Sequence, residues 1–224
     1  MLIFNNIYKS PILAHLLHRG IIYPYVVNQY TNMNNNTTTD QRVILSLDTA
    51  ESTGYAIYQG GEIVIHGVWK LPKEKKQSAL FDRLEHTVAT YGITHIVAED
   101  IFCAFTTDEK QYRKNVSVYG GLSQLRGIIE AVAQRHNLVF NVIQPVKVKE
   151  YMWNARFYDL RGKPKNISRE EQKQKMIKAV AALGYELMQT KEGDESDDEA
   201  DAIGILITYV GKGNIIHPID ENHT

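Results

Sequence analysis

From Arg42 onward, short runs of apolar residues alternate with stretches in which apolar residues recur at helical spacing. This pattern predicts a domain that mixes strands and helices. Five short apolar runs predict strands at 43–47, 55–58, 63–69, 95–98 and 138–143. The Gly60-Gly61 pair predicts a hairpin turn, so the first three strands are expected to form an antiparallel meander. Pro145 is expected to close the fifth strand.

Stretches in which apolar residues recur at helical spacing lie between and after the later predicted strands. Leu80, Leu84, Val88 and Tyr91 recur on one helical face, and Gly92 is expected to end that helix. Three further helices are predicted at 116–136, 169–183 and 197–210. A meander followed by strand and helix alternation indicates an α/β fold, with a mixed five-stranded sheet flanked by helices.

Composition bounds the number of domains. A chain of 224 residues with 43% hydrophobic residues can bury one substantial core, so one domain is expected at 41–212. Residues 1–40 end in the polar tract 34–39 and are expected to form a disordered tail, with a second short tail at 213–224.

Charge and cysteine content exclude several classes of protein. The net charge of −1 excludes nucleic-acid binding by bulk charge, so any such binding requires a local basic patch. The single cysteine, Cys103, excludes an internal disulfide and fits a reducing compartment. No apolar run approaches the roughly 18 residues of a membrane span, and a cytoplasmic protein without membrane contact is expected.

Carboxylates occur at three places that the predicted fold could bring together. Asp48 follows the first strand and Glu99 the fourth, while Asp198 and Asp201 are spaced to share one face of the last helix. Ligands gather beyond strand ends in α/β sheets, and carboxylate oxygens suit Mg²⁺ or Mn²⁺. Taken singly, each residue is better explained as a turn residue, a helix cap or a solvated charge. Their joint occurrence indicates a metal site, in which two ions could support phosphodiester hydrolysis.

Four segments carry a family resemblance: LDTAESTGY at 47–55, VAEDIF at 97–102, GLSQLRG at 121–127 and DEADAIG at 198–204. In their order and spacing they resemble the RuvC-type Holliday junction resolvases, over about residues 43–210. The resemblance implies a ribonuclease H-like fold, a homodimer, and paired Mg²⁺-dependent nicks in four-way DNA junctions. It also implies two metal ions per site and a set of metal-binding carboxylates comprising Asp48, Glu99, Asp198 and Asp201. Glu199, about 100° round the helix from Asp198, is assigned no catalytic role.

Basic residues and one aromatic residue are candidates for DNA contact. The stretch from Pro145 to Lys178 holds ten basic and four acidic residues, which favours phosphate binding over an ordinary solvated surface. Within it, Lys149 and Lys173 resemble the family's basic residues near the active site. The segment 105–119 is interpreted as a polar loop that either touches DNA or is simply solvated, and Phe102 either stacks on junction bases or belongs to the core. The DNA-binding candidates are Phe102, Arg113, Lys114, Lys149 and Lys173.

The sequence thus predicts a metal-dependent endonuclease that cleaves branched DNA. Two other functions remain open. A non-catalytic nucleic-acid-binding module on the same fold would bind junctions without cleaving them. An actin-like or sugar-kinase-like phosphotransferase also opens with an Asp-containing strand, but it needs two such lobes and a glycine-rich phosphate loop, and this chain is short of both.

Overall fold

The structure is a computed structural model that describes residues 40–49, 52–101, 108–153, 167–189 and 196–211. The strands in this part of the chain are β1 (Ile44–Thr49), β2 (Thr53–Gln59), β3 (Glu62–Trp69), β4 (His95–Glu99) and β5 (Val139–Ile143). The α-helices are α1 (Lys76–Tyr91), α2 (Glu109–Arg135), α3 (Pro145–Trp153), α4 (Arg169–Ala182) and α5 (Asp197–Gly211), and a 3₁₀ turn at Lys73–Lys75 precedes α1. The two predicted tails lie outside the described residues, apart from Asp40.

The five strands form one mixed sheet in the order β3-β2-β1-β4-β5. The first three strands pair antiparallel, which confirms the predicted meander. Strands β4 and β5 run parallel to β1. The carboxyl ends of β1, β4 and β5 therefore meet at one edge of the sheet, called the carboxyl edge below.

The sheet separates two apolar layers because successive side chains of a strand point to opposite faces. On one face, Ile44, Ala56 and Val97 pack against α3, α4 and α5. On the other face, Leu45 and Leu47 pack against α1 and α2. Helix α5 is buried from residue 202 to residue 210, since it lies between the sheet and the helices α3 and α4.

Helix α2 begins at Glu109 rather than at 116, so the prediction of a polar loop is wrong from Glu109 onward. Its first turn is capped by Asp108, whose side chain accepts a hydrogen bond from the backbone N–H of Gln111 (2.7 Å). An ion pair between Glu109 and Arg113 supports the next turn. This part of α2 is exposed, and its few apolar residues stand among polar and charged ones, so its helical period is weak in the sequence.

The first half of α2 extends beyond the carboxyl edge. Arg126 forms an ion pair with Asp100 (3.7 Å), directly after β4, and its guanidinium lies over the ring of Phe140 (4.8 Å). Glu109 precedes Arg126 by about five helical turns, or roughly 25 Å. The residues in between are mostly exposed, so this half of the helix is available for contacts with other molecules.

Helix α3 is a second departure from prediction, because the sequence indicated Pro145 only as the end of a strand. Proline is favoured in the first turn of a helix, where its missing N–H would have no partner. Val148, Tyr151 and Met152 are buried against α4 and α5. The burial of this short apolar face stabilises the helix and sets Lys149 beside the carboxyl edge. Among the described helices, none is long and apolar enough to cross a membrane.

Candidate active site

Asp48 and Glu99 are neighbours at the carboxyl edge. The parallel register of β1 and β4 pairs Leu47 with Ala98, so the next residue on each strand stands beside the other. Leu47 and Ala98 point into the layer formed with α1 and α2. The two carboxylates therefore point to the opposite face, toward α5. Asp48 is only 7% exposed there.

Helix α5 approaches the sheet closely on that face. The buried hydroxyl of Ser46 donates a hydrogen bond to the backbone carbonyl of Ala202 (2.8 Å). Gly54, which pairs with Asp48 in the β1–β2 register, lies so near α5 that an added Cβ would collide with the backbone carbonyl of Asp198. The first turn of α5 thus brings its acidic residues to the carboxylates at the strand ends.

The four carboxylates act on one another electrostatically. Burial raises the pKa of Asp48 well above its usual range, and the charges of the other three carboxylates raise it further. Burial and the charge of Asp201 raise the pKa of Glu99 to about 7. Burial also raises the pKa of Asp201 to about 6 and that of Asp198 above its usual value. The structure therefore brings together all four residues that the sequence singled out.

The chemistry of this donor set fits a divalent cation. Buried carboxylate oxygens that repel one another are relieved when a cation lies between them. Within the described ranges, no group of three or more His, Cys, Asp or Glu side chains is yet close enough to hold a metal ion. The site matches such an ion in ligand type and charge.

Two predicted basic residues flank the carboxylates. Lys149 on α3 donates a hydrogen bond to the Gln172 side chain (2.8 Å), and its charge lowers the pKa values of Glu99 and Asp201. Lys173 on α4 forms an ion pair with Asp197, which raises the pKa of the lysine. Both lysines lie beside the four carboxylates.

The other DNA-binding candidates lie elsewhere. Arg113 and Lys114 are on the exposed half of α2, and Arg113 is paired with Glu109. Phe102 lies outside the described residues. The structure therefore places two of the five candidates beside the carboxylates and two on the extended helix.

Glu199 is a site-supporting residue that sequence reasoning missed. It is fully buried, and one carboxylate oxygen lies 2.6 Å from His66 Nδ1 on β3. The other accepts a hydrogen bond from the backbone N–H of Met188 (2.6 Å). Glu199 thus fastens the first turn of α5 to β3 and to the segment before α5. The sequence contains no local sign of this contact, because His66 is far from Glu199 along the chain.

A mixed five-stranded sheet with helices on both faces defines a ribonuclease H-like α/β domain, as predicted. One solved structure, described as T. thermophilus RuvC in complex with Holliday junction substrate, shares this fold. It has a TM-score of 0.50 and 14% sequence identity, and the match covers 77% of this chain and 95% of that one.

Curated relatives extend the similarity to sequence. The crossover junction endodeoxyribonuclease RuvC of Dictyoglomus turgidum is 25% identical over 179 residues, which covers 76% of this chain and 97% of the relative. RuvC of Heliobacterium modesticaldum is 26% identical over 174 residues, covering 74% and 91%. No protein-family model matches the chain. The predicted resemblance to RuvC-type resolvases is confirmed by these relatives.

Replacing Asp48 with Asn should stabilise the metal-free protein. The raised pKa values mean that the ionised carboxylates disfavour the folded state, so the free energy of unfolding should fall as pH rises from about 4.5 through about 7. Asp48→Asn removes one of these charges and should raise the free energy of unfolding at pH 7.5 by on the order of 1 kcal/mol or more. Urea denaturation in the presence of a chelator measures this.

The same experiment with Mg²⁺ provides the control. Wild-type protein should gain stability when the ion is added, whereas Asp48→Asn should gain less, because a ligand that binds only the folded state stabilises it. A metal-free variant that is less stable than wild type at pH 7.5 would contradict the electrostatic account of the site.

Replacing Glu199 with Ala should destabilise the protein, because it removes both buried contacts and leaves the Met188 N–H without its partner. The expected loss is about 2–4 kcal/mol, measured by urea denaturation. Glu186→Ala, at an exposed position in the segment before α5, is the matched control and should change stability by less than about 0.5 kcal/mol. A double-mutant cycle with His66→Ala should give a coupling energy above about 0.5 kcal/mol, and independent effects would refute the contact.

Proposed function

We propose that this chain is a metal-dependent endonuclease that resolves four-way DNA junctions by paired phosphodiester hydrolysis. The observation that carries the proposal is the meeting of Asp48, Glu99, Asp198 and Asp201 at one sheet edge, where burial and mutual repulsion raise their pKa values. The similarity to proteins named crossover junction endodeoxyribonuclease over about three quarters of the chain supports this substrate and this reaction.

The four carboxylates are the proposed metal ligands. Divalent-metal dependence is general among the RuvC-type resolvases that this chain resembles, and we assign two Mg²⁺ ions per site, with Mn²⁺ as a substitute. When bound, such ions activate a water and stabilise the leaving oxygen of a phosphodiester. Lys149 and Lys173, beside the carboxylates, are the residues that would attract the phosphate backbone, which the carboxylates alone would repel.

Cleavage of a synthetic four-way junction tests the proposal. Wild-type protein should nick the junction when Mg²⁺ is present and should not do so in a chelator. Asp48→Asn and Asp201→Asn should lower the cleavage rate by on the order of a hundredfold or more, because each removes a charged ligand. Asp82→Asn, at an exposed position on α1, should leave the rate unchanged.

Binding to the same junction should persist in both site variants, since the loss of a negative charge does not weaken attraction to phosphate. Undiminished cleavage by Asp48→Asn would refute the mechanism. Junction binding by wild-type protein without metal-dependent cleavage would show a non-catalytic binding module instead.

Paired nicks require two active sites, so we propose that the protein acts as a homodimer. Tyr112, Val116 and Tyr119 share one face of the extended half of α2, and their exposed fractions are 40%, 43% and 39%. Aromatic and aliphatic side chains exposed together on a helix are typical of a protein interface. We place the contact between the two copies on this face.

Val116→Glu should shift the protein from dimer to monomer, because it puts a charge in the apolar contact. Val118→Glu is the matched control: residue 118 is about 200° round the helix from residue 116, and its valine is 54% exposed. Sedimentation velocity measures both. Equal loss of the dimer in the two variants, or a wild-type monomer at tens of micromolar, would contradict this interface.

A further inference from the structure

A groove on the side of the sheet away from Lys149 carries a second basic surface. The groove has a volume of about 560 Å³ and lies between the 3₁₀ turn with the start of α1 and the middle of α2. Three of its lining residues are lysines, Lys73, Lys75 and Lys76, against one acidic residue, Glu74. Lys73 and Lys75 are exposed and Lys76 is half-buried.

The sheet register places this groove at the carboxyl edge. Trp69, the last residue of β3, pairs with Thr53 of β2, and Thr53 pairs with Thr49, which follows Asp48. Strand β3 therefore ends at the same edge as β1, and the lysines follow that end after a few residues. The lysines that line the groove therefore lie at the same edge of the sheet as the carboxylates. The charge of Lys76 lowers the pKa of Asp198, which agrees with this placement.

The walls of the groove are held by defined contacts. The Gln77 side chain donates a hydrogen bond to the Gln124 side chain (2.6 Å) and joins the start of α1 to α2. Ser78 donates a hydrogen bond to the backbone carbonyl of Lys75 (3.1 Å). Gly121 also lines the groove, and the space beside it is open, because a Cβ added there would meet no atom outside its own stretch of helix within 4 Å.

The groove and the proposed dimer face lie on different sides of α2. The α2 residues that line the groove include Ser117, Val118 and Gly121, whereas the apolar face comprises Tyr112, Val116 and Tyr119. At 100° per residue the two sets are roughly opposite. A dimer through the apolar face would leave the groove open to DNA.

We propose that this groove, called the lysine groove, binds the DNA backbone on the flank of the active site opposite Lys149 and Lys173. The lysines supply charge for phosphate oxygens, and a positively charged channel beside an acidic metal site lets a polyanion approach it. Lys149 and Lys173 lie with α3 and α4 on the other face of the sheet. The scissile strand is then held from both faces, with the carboxylates between them.

The choice of DNA as ligand rests on the proposed function, whereas the groove itself does not. Lysine ammonium groups read charge and not base identity, so these contacts should position the strand without specifying sequence. Binding through them should therefore weaken with salt in the manner of phosphate contacts.

The test compares Lys73→Ala/Lys75→Ala with a control that removes two positive charges elsewhere, Arg42→Ala/Arg135→Ala. Arg135 ends α2, at the far end of that helix from its extended half, and Arg42 precedes β1, at the edge of the sheet opposite the carboxyl edge. Dissociation constants for a four-way junction are measured in chelator at several salt concentrations. The groove variant should bind about tenfold more weakly, with a salt slope smaller by about 2, and the control should change little.

Each outcome decides the inference. Unchanged affinity in the groove variant, or an equal loss in the control, overturns it. If wild-type protein cleaves junctions and the groove variant binds them normally, the lysine groove fails alone. If wild-type protein binds duplex DNA without preferring or cleaving junctions, and the groove variant loses that binding, the proposed function fails and the groove assignment stands. Circular dichroism and sedimentation confirm that both variants keep their fold and oligomeric state.

Discussion

The close contact between α5 and the sheet is the constraint on which the site depends. A helix that lies on a sheet normally keeps its backbone at the distance set by side chains between the two. Here Gly54 has no side chain, and the Ser46 hydroxyl reaches the α5 backbone directly. The first turn of α5 can therefore lie over the end of β1, where Asp48 stands. Without that approach the two acidic residues of α5 would remain on a separate surface.

Bringing the carboxylates together destabilises the folded state, although it also assembles the proposed active site. Several carboxylates are buried near one another, and their raised pKa values show that their ionised forms are disfavoured. Apolar burial along α5 and the Glu199 contacts hold the helix in place against this repulsion. A site that is costly when empty and relieved by a cation is a common form of the trade between stability and activity. Basic residues lie on either face of the sheet, Lys149 and Lys173 on one and the lysines before α1 on the other.

Much of the fold follows from sequence because its elements have strong local signals. The five strands are short apolar runs, and α1 has both an apolar stripe and Gly92 in the left-handed conformation at its end. The first half of α2 escaped prediction because it is exposed and its few apolar residues stand among polar and charged ones. Helix α3 escaped because Pro145 is compatible with the end of a strand and with the start of a helix. In both cases the local sequence permits two structures.

The candidate site also has relations that the sequence predicted and relations that it did not. Strand-end position marked Asp48 and Glu99, and helical spacing marked Asp198 and Asp201, so the sequence determined which carboxylates belong together. It could not show that Glu199 joins His66, that Lys173 pairs with Asp197, or that the lysines before α1 lie near the carboxyl edge. Those relations join residues on different elements, and only the packed sheet and helices decide them. The acidic run that begins α5 is therefore not one solvated surface. Tertiary packing divides it into buried carboxylates at the proposed metal site, a structural carboxylate and an ion pair, because each position faces a different neighbour.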